Sequence, residues 1–198
     1  MTTEPLVLGF DTSAAHCAAA LLRGDTLVAE ALEPMTRGQA ERLMPLLEEV
    51  LATGGATWAD LDTIGVGVGP GNFTGIRIAV SAARGLALGL GVPAVGIDGF
   101  DARAATGTLP GIPAPRDQVY AALPDQAPRL MPREEAEEAA RGAGLTFAPE
   151  ASPAGLAEAI ARLAAARMDQ DSAAPAPLYL RAADAAPARD TPPALIDG

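Results

Sequence analysis

Thr63-Ile64-Gly65-Val66-Gly67-Val68-Gly69-Pro70-Gly71-Asn72-Phe73-Thr74-Gly75 decides how the chain is read. Ile64, Val66 and Val68 alternate with Gly65 and Gly67, which is the period of a strand. Gly69-Pro70-Gly71 then forces a tight turn. A helix follows over about 75–90, with Thr74 in a position to cap it. That helix is apolar almost all round, which predicts burial on more than one side. Ser81, Gly85 and Gly89 fall four apart, a spacing that lets another backbone approach closely. Gly91 stops the helix, and residues 92–97 read as one more strand.

Working back from this unit, Leu43, Leu46, Leu47, Val50 and Leu51 recur at helical spacing. They predict a helix over 36–53, kinked by Pro45 and ended by Gly54-Gly55. Residues 57–61 read as a short helical turn. Ahead of these lie apolar runs at 6–10, 18–22 and 27–32, the last two separated by the turn Arg23-Gly24-Asp25-Thr26. The predicted order over 6–97 is β-β-β-α-β-α-β, an α/β lobe. Beyond residue 100 the texture changes, and 13 of the 18 prolines lie there. Helices are predicted over 132–140 and about 152–168. The expected organisation is an N-terminal lobe over 1–100, a reduced, loosely built second lobe over 101–180, and an Ala- and Pro-rich tail over 181–198.

Composition limits the function. Of 198 residues, 49% are hydrophobic and only 4% aromatic, so Ala, Leu and Val must fill the core. A core built that way gains from a partner surface. The formal net charge of −11 is wrong for direct phosphate-backbone binding, so a role on RNA requires positive surface from another subunit. One cysteine, Cys17, excludes an intrachain disulfide and fits a reducing compartment. One histidine, His16, excludes a His-based metallohydrolase site and reads as a residue of the connection between two strands. The N-terminus lacks a basic, apolar leader pattern, and the most apolar segment, 76–93, carries Arg77 and Arg84. These features predict a cytoplasmic protein without a membrane span.

The motifs that carry chemistry are few. No Walker A loop, G-x-G-x-x-G or G-x-S-x-G is present. Glu134-Glu135-Ala136-Glu137-Glu138 is a solvated helix start. Asp11-Thr12-Ser13 ends the first buried strand, the place where actin-like and sugar-kinase-like ATPases hold phosphate and magnesium. Such sites need a second Asp-Gly loop, and neither Asp98-Gly99 nor Asp197-Gly198 supplies it. Two readings of Asp11 stand: a cap on its own turn, or part of a phosphate site with Thr12 and the backbone at Gly69 and Gly71.

Three segments together resemble the TsaB (YeaZ) family: Phe10-Asp11-Thr12-Ser13, Gln39-Ala40-Glu41-Arg42-Leu43-Met44-Pro45-Leu46, and Gly69 through Ile78. The likeness covers about 6–100, with echoes at 116–120 and 177–181. Gln39 stands where the family often has His, Asn72 where it often has Ser, and Ala114-Pro115-Arg116 where it has Asp-Ala-Arg. The resemblance implies a two-lobed actin-like/ribonuclease H-like (ASKHA) fold. It implies a non-catalytic subunit that pairs with a TsaD-like transferase and a TsaE-like ATPase in making threonylcarbamoyladenosine beside the tRNA anticodon. It further implies a homodimer when alone, contact with tRNA only through the complex, no firmly bound cofactor, and ATP or ADP at the complex interface. Because the 75–90 helix is apolar on more faces than one small sheet covers, Leu43, Leu47, Val50, Ile76, Val80 and Ala83 are the candidate partner residues, with intradomain core as the competing reading. The alternative function is a self-standing actin-like ATPase or small-molecule kinase working through Asp11.

Overall fold

A computed structural model describes residues 4–149, 153–170 and 173–180. In chain order its elements are β1 (Leu6–Asp11), β2 (His16–Arg23), β3 (Thr26–Pro34), α1 (Gln39–Thr53), β4 (Thr63–Gly67), α2 (Phe73–Leu90), β5 (Ala94–Ile97), β6 (Thr108–Ala114), β7 (Gln118–Ala121), β8 (Arg129–Pro132), α3 (Arg133–Gly142), β9 (Thr146–Ala148) and α4 (Pro153–Arg167). Short 3₁₀ turns lie at Trp58–Asp60 and Asp101–Arg103. The β-β-β-α-β-α-β order over 6–97 is therefore as the periodicity indicates.

The first sheet has the order β3-β2-β1-β4-β5. β1, β2 and β3 pair antiparallel as a meander, while β4 and β5 add to β1 in parallel. β1 is central and buried throughout, so it reads as a continuous apolar run. One face carries Leu6, Leu8, Phe10, Leu21, Ile64 and Val66 against the apolar stripes of α1 and α2. Pro45 does not interrupt α1; it sits on the exposed side. Helix α2 is long and apolar enough to cross a membrane by length and composition, yet Ile76, Ala79, Val80 and Ala83 bury one side of it in this core.

The opposite face corrects the expected division at residue 100. Helix α4 returns from the second half and packs under the first sheet, where Leu156, Ile160, Ala161 and Ala164 meet Val7, Leu22, Val95 and Ile97. The N-terminal lobe is thus a three-layer unit whose third layer is C-terminal in sequence. Gly9 and Gly65 explain the closeness of the contact. A Cβ on Gly9 would lie 2.6 Å from the Ala157 carbonyl oxygen, and one on Gly65 2.7 Å from the Ala164 methyl.

The second lobe is more regular than its prolines suggest. β6–β9 form a sheet of order β8-β7-β6-β9, covered by α3 through Ala136 and Ala140 against Leu109, Val119 and Met131. β6 holds Pro110 and Pro113, and its pairing shows why they fit. Among the described residues, 108–110 pair only with β9 and 111–114 only with β7. Each half of β6 has one open side, where a missing N–H costs no ladder bond. The expected tail, 181–198, and the expected helix start at Ser152 lie outside the described residues.

Arg42 ties α1 to β3. Its Nε donates to Glu33 at 2.7 Å and its Nη1 to Glu49 at 2.8 Å. The hydrogen bond from Arg42 holds both carboxyls below their ordinary value of 4.5. A depressed carboxyl stabilises the fold above its unfolded value, and the effect disappears as pH falls through the lowered folded value. The three side chains are all partly open to solvent, so the contribution is small and screened by salt. Arg42→Ala is expected to lower the melting temperature slightly at neutral pH, with the difference from wild type vanishing below the lowered carboxyl values. Thermal melts across the acid limb check this.

Candidate functional site

The four residues assigned to a phosphate site come together where β1 ends and α2 begins. Asp11 is 2% exposed, Thr12 0%, Ser13 7% and His16 5%. One Asp11 oxygen, Oδ1, accepts three hydrogen bonds: from the Ser13 backbone N–H at 2.9 Å, the Ser13 hydroxyl at 2.9 Å and His16 Nε2 at 2.8 Å. The capping reading of Asp11 is what the geometry contains. His16 corrects an expectation: it is the first residue of β2, buried, with its ring turned onto Asp11. The rule that a buried carboxylate needs nearby donors was the available signal, and the sequence offered one imidazole five residues on.

This loop is the seat of α2. The Thr12 hydroxyl donates to the Gly75 carbonyl at 2.7 Å, and the Asn72 N–H donates to the Ser13 carbonyl at 2.6 Å. The helix starts at Phe73, because Asn72, not Thr74, is its cap: Asn72 Oδ1 accepts from the Gly75 N–H at 2.8 Å. A Cβ on Gly71 would collide with the Ser13 carbonyl, and one on Gly75 with the Thr12 carbonyl. Only glycine lets the two turns touch. Gly69 accepts from the Gly99 N–H at 2.7 Å, and the Gly69–Pro70 peptide is cis. Asp11, Thr12 and Gly69 thus spend polar groups inside the chain, on Ser13, His16, Gly75 and Gly99.

Arg103 adds the charge missed at the sequence level. Its Nη1 donates to the Gly99 carbonyl at 3.0 Å, while its buried Nε has no partner among the described residues. Burial lowers the guanidinium below its ordinary value, and the negative charge of Asp11 opposes that. Nothing in Asp101-Ala102-Arg103 signals this, because the charge it faces, Asp11, lies at the other end of the first lobe's sequence. Cys17, next to His16, is buried, and its thiol is pushed up to about 11, first by burial and then by Glu33, with Arg42 opposing and Asp11 adding to the rise. Among the described residues no three His, Cys, Asp or Glu side chains converge in a way that could hold a metal ion.

The candidate partner residues need correction. Leu43, Leu47, Val50, Ile76, Val80 and Ala83 are 0–3% exposed and lie in the core between α1, α2 and the first sheet. They are the stripe that faces inward, so a partner cannot reach them while the lobe is folded. The outward stripe is different. On α2 it holds Arg77, Ser81, Arg84, Gly85 and Leu88, with Leu88 87% exposed. Added Cβ atoms on Gly85 and Gly89 would meet nothing within 4 Å among the described residues, so no packing there demands glycine. On α1 Met44 is 37% exposed beside Glu41 and Glu48.

Comparison with known proteins matches this arrangement to one family. Residues 33–126 match the family model described as TsaD, tRNA N6-adenosine threonylcarbamoyltransferase. The tRNA threonylcarbamoyladenosine biosynthesis protein TsaB of Escherichia coli is 36% identical over 91 residues, which is 46% of this chain and 39% of that protein. The Bacillus subtilis TsaB is 35% identical over 123 residues, 59% of this chain and 54% of that protein. An uncharacterised Mycobacterium tuberculosis protein is 34% identical over 204 residues, covering 91% of this chain and 94% of its own length. The aligned regions thus span about half or less of the named TsaB relatives, but nearly all of the mycobacterial one. In structure, YeaZ from Pseudomonas aeruginosa superposes with a TM-score of 0.66 at 24% identity, over 89% of this chain and 100% of that one. At that identity the superposition speaks for the fold. The family-model match, the named TsaB relatives and the common fold agree: the chain belongs to the TsaB (YeaZ) family.

Proposed function

We propose that this chain is a non-catalytic subunit of the machinery that makes tRNA threonylcarbamoyladenosine, and that it binds and activates a TsaD-like transferase through the outer faces of α1 and α2. One observation carries the reading: an 18-residue apolar helix, α2, that turns Leu88 and two unpacked glycines outward. A large exposed apolar side chain flanked by small residues is how a helix admits a close neighbour. The names of the TsaB relatives support the pathway. The strand order β3-β2-β1-β4-β5 supports an actin-like, ribonuclease H-like lobe.

The Asp11 site argues against the ATPase alternative. A carboxylate that serves magnesium and phosphate must offer its oxygens to them, and Oδ1 of Asp11 already accepts three internal donors. ATP or ADP would then belong to the complex interface, and a TsaE-like ATPase would supply the hydrolysis. A net charge of −11 leaves tRNA contact to the partner. Alone, the same face closes on a second copy. Glu41 and Glu48 on α1 and Arg77 and Arg84 on α2 are exposed and opposite in charge, so two copies related by a two-fold axis can pair them. The setting is the bacterial cytoplasm.

The test is reconstitution with the TsaD-like and TsaE-like proteins of the same organism. Threonylcarbamoyl transfer to tRNA is expected to require this chain, and the isolated chain is expected to turn over no ATP. Transfer at full rate without it, or ATP turnover by the chain alone that Asp11→Ala removes, overturns the proposal.

A further inference from the structure

We infer that residues 173–180 form a strap that fixes the first turn of α2 and so sets the surface this chain presents to its partner; the partner half of the inference rests on the function proposed above. The segment has no regular secondary structure, yet it is tied down along its length. Pro175 lies against β5, 3.5 Å from where a Cβ on Gly96 would be. The Leu178 N–H donates to the Val68 carbonyl at 2.8 Å, extending the backbone bonding of β4 one residue past its end. The Leu178 side chain packs onto the α1/α2 core, and its carbonyl lies against Gly69. Leu180 joins Phe100, Ile112 and Tyr120, the cluster that connects to the second lobe.

Tyr179 makes the contact that matters for α2. Its hydroxyl accepts from Arg77 Nε at 2.9 Å, and its ring lies 5.0 Å from that of Phe73, tilted by 30°. The Arg77 guanidinium covers Phe73 at 4.0 Å from the ring centroid. Phe73 and Arg77 are positions one and five of α2, so Tyr179 clamps its opening turn from outside. The inner side of the same turn is held by Thr12 and Ser13. Both residues remain partly open to solvent, Phe73 at 41% and Tyr179 at 42% exposure. The aromatic pair therefore stands at the N-terminal rim of the outward face of α2. An eight-residue segment without its own ladder holds its place only through such contacts, because ordering it costs conformational entropy. Losing one of them loosens what it clamps.

The experiment uses the full chain and Tyr179→Ala, with Tyr179→Phe as the conservative control. Hydrogen exchange of the chain alone is read at the amides of residues 76–78, just inside the clamped turn, and affinity is read by calorimetry against the TsaD-like partner. In Tyr179→Ala, exchange in this first part of α2 is expected to rise about tenfold and partner affinity to fall about tenfold, the size of one lost aromatic pair. Exchange in β1 and β2 stays at the wild-type level. Tyr179→Phe keeps the ring stack and recovers most of both effects. Unchanged exchange in Tyr179→Ala overturns the strap. Faster exchange with unchanged affinity overturns its link to the partner surface. If wild type itself does not bind the TsaD-like protein, the proposed function fails, and the exchange measurement still decides the clamp.

Discussion

Asp11→Ala is expected to lower the stability of the chain by about 3–5 kcal/mol, because it strips the acceptor from several buried donors, each costing about 1–3 kcal/mol when left unpaired. For a chain of this size that corresponds to a fall in melting temperature of about 10 °C. The reason lies in who depends on the carboxylate. The Ser13 N–H, the Ser13 hydroxyl and His16 Nε2 all donate to Oδ1, and all are buried. Alanine leaves three donors without an acceptor where water has little access. The loop they hold is also the seat of Asn72 and Gly75, so the damage extends to the start of α2. Asp11→Asn keeps an acceptor oxygen and nearly the same shape, and should cost less than half as much. Paired urea and thermal melts of the two variants check this. A catalytic Asp11 gives the opposite pattern, with stability unchanged or raised and an activity lost. A fully stable Asp11→Ala chain would show that the pair with His16 does not hold the loop.

The same loop shows what a sequence can and cannot disclose. The strands and helices of 6–97 were legible because each has a period of its own, and a half-buried element must obey it. Their ends were less so. β2 starts at His16, two residues before the apolar run, because Asp11 draws the imidazole inward. α2 starts at Phe73, because Asn72 reaches Gly75 before Thr74 is needed as a cap. The placement of α4 was not legible, since an Ala-rich stripe says that it packs but not on what. Gly9 and Gly65 were the traces it left in the sequence, two residues without side chains in neighbouring strands at the same register. β6 was hidden because two prolines argue against a strand, and the argument fails only where each half of the strand has an open side. At the site, the motifs placed Asp11 and Thr12 at the end of β1 and Gly69 and Gly71 in the turn before α2, which is where they lie. Arg103 was not grouped with them, because its relation to Asp11 is made only in the folded chain.

Core and interface use the same apolar letters, and that ambiguity sets the last prediction. The periodic stripe of α1 and α2 suggests that Val50→Glu or Val80→Glu would abolish pairing in a folded chain. The structure reverses this expectation. Val50 is 2% exposed and Val80 3%, both inside the first-sheet core. A glutamate there is buried without a partner, so either variant should lose several kcal/mol of stability and fail to fold well before pairing can be asked about. Leu88→Glu is the informative change. Leu88 is 87% exposed, so the free chain accepts the charge with little change in its melting temperature. If α2 docks through this face, association buries that carboxylate against apolar surface. Affinity for the TsaD-like partner should then fall about a hundredfold or more, as expected when an unpaired charge costs 3 kcal/mol or more. The self-association of the chain should weaken in parallel, because the two-fold dimer uses the same side of the helix. Gly85→Glu, one turn away at a position where a side chain meets nothing within 4 Å, should act in the same direction. Circular dichroism establishes that both variants are folded, and sedimentation and calorimetry read the pairing. A folded Leu88→Glu chain that pairs at wild-type strength would remove α2 from the interface, and with it the observation on which the scaffold reading stands.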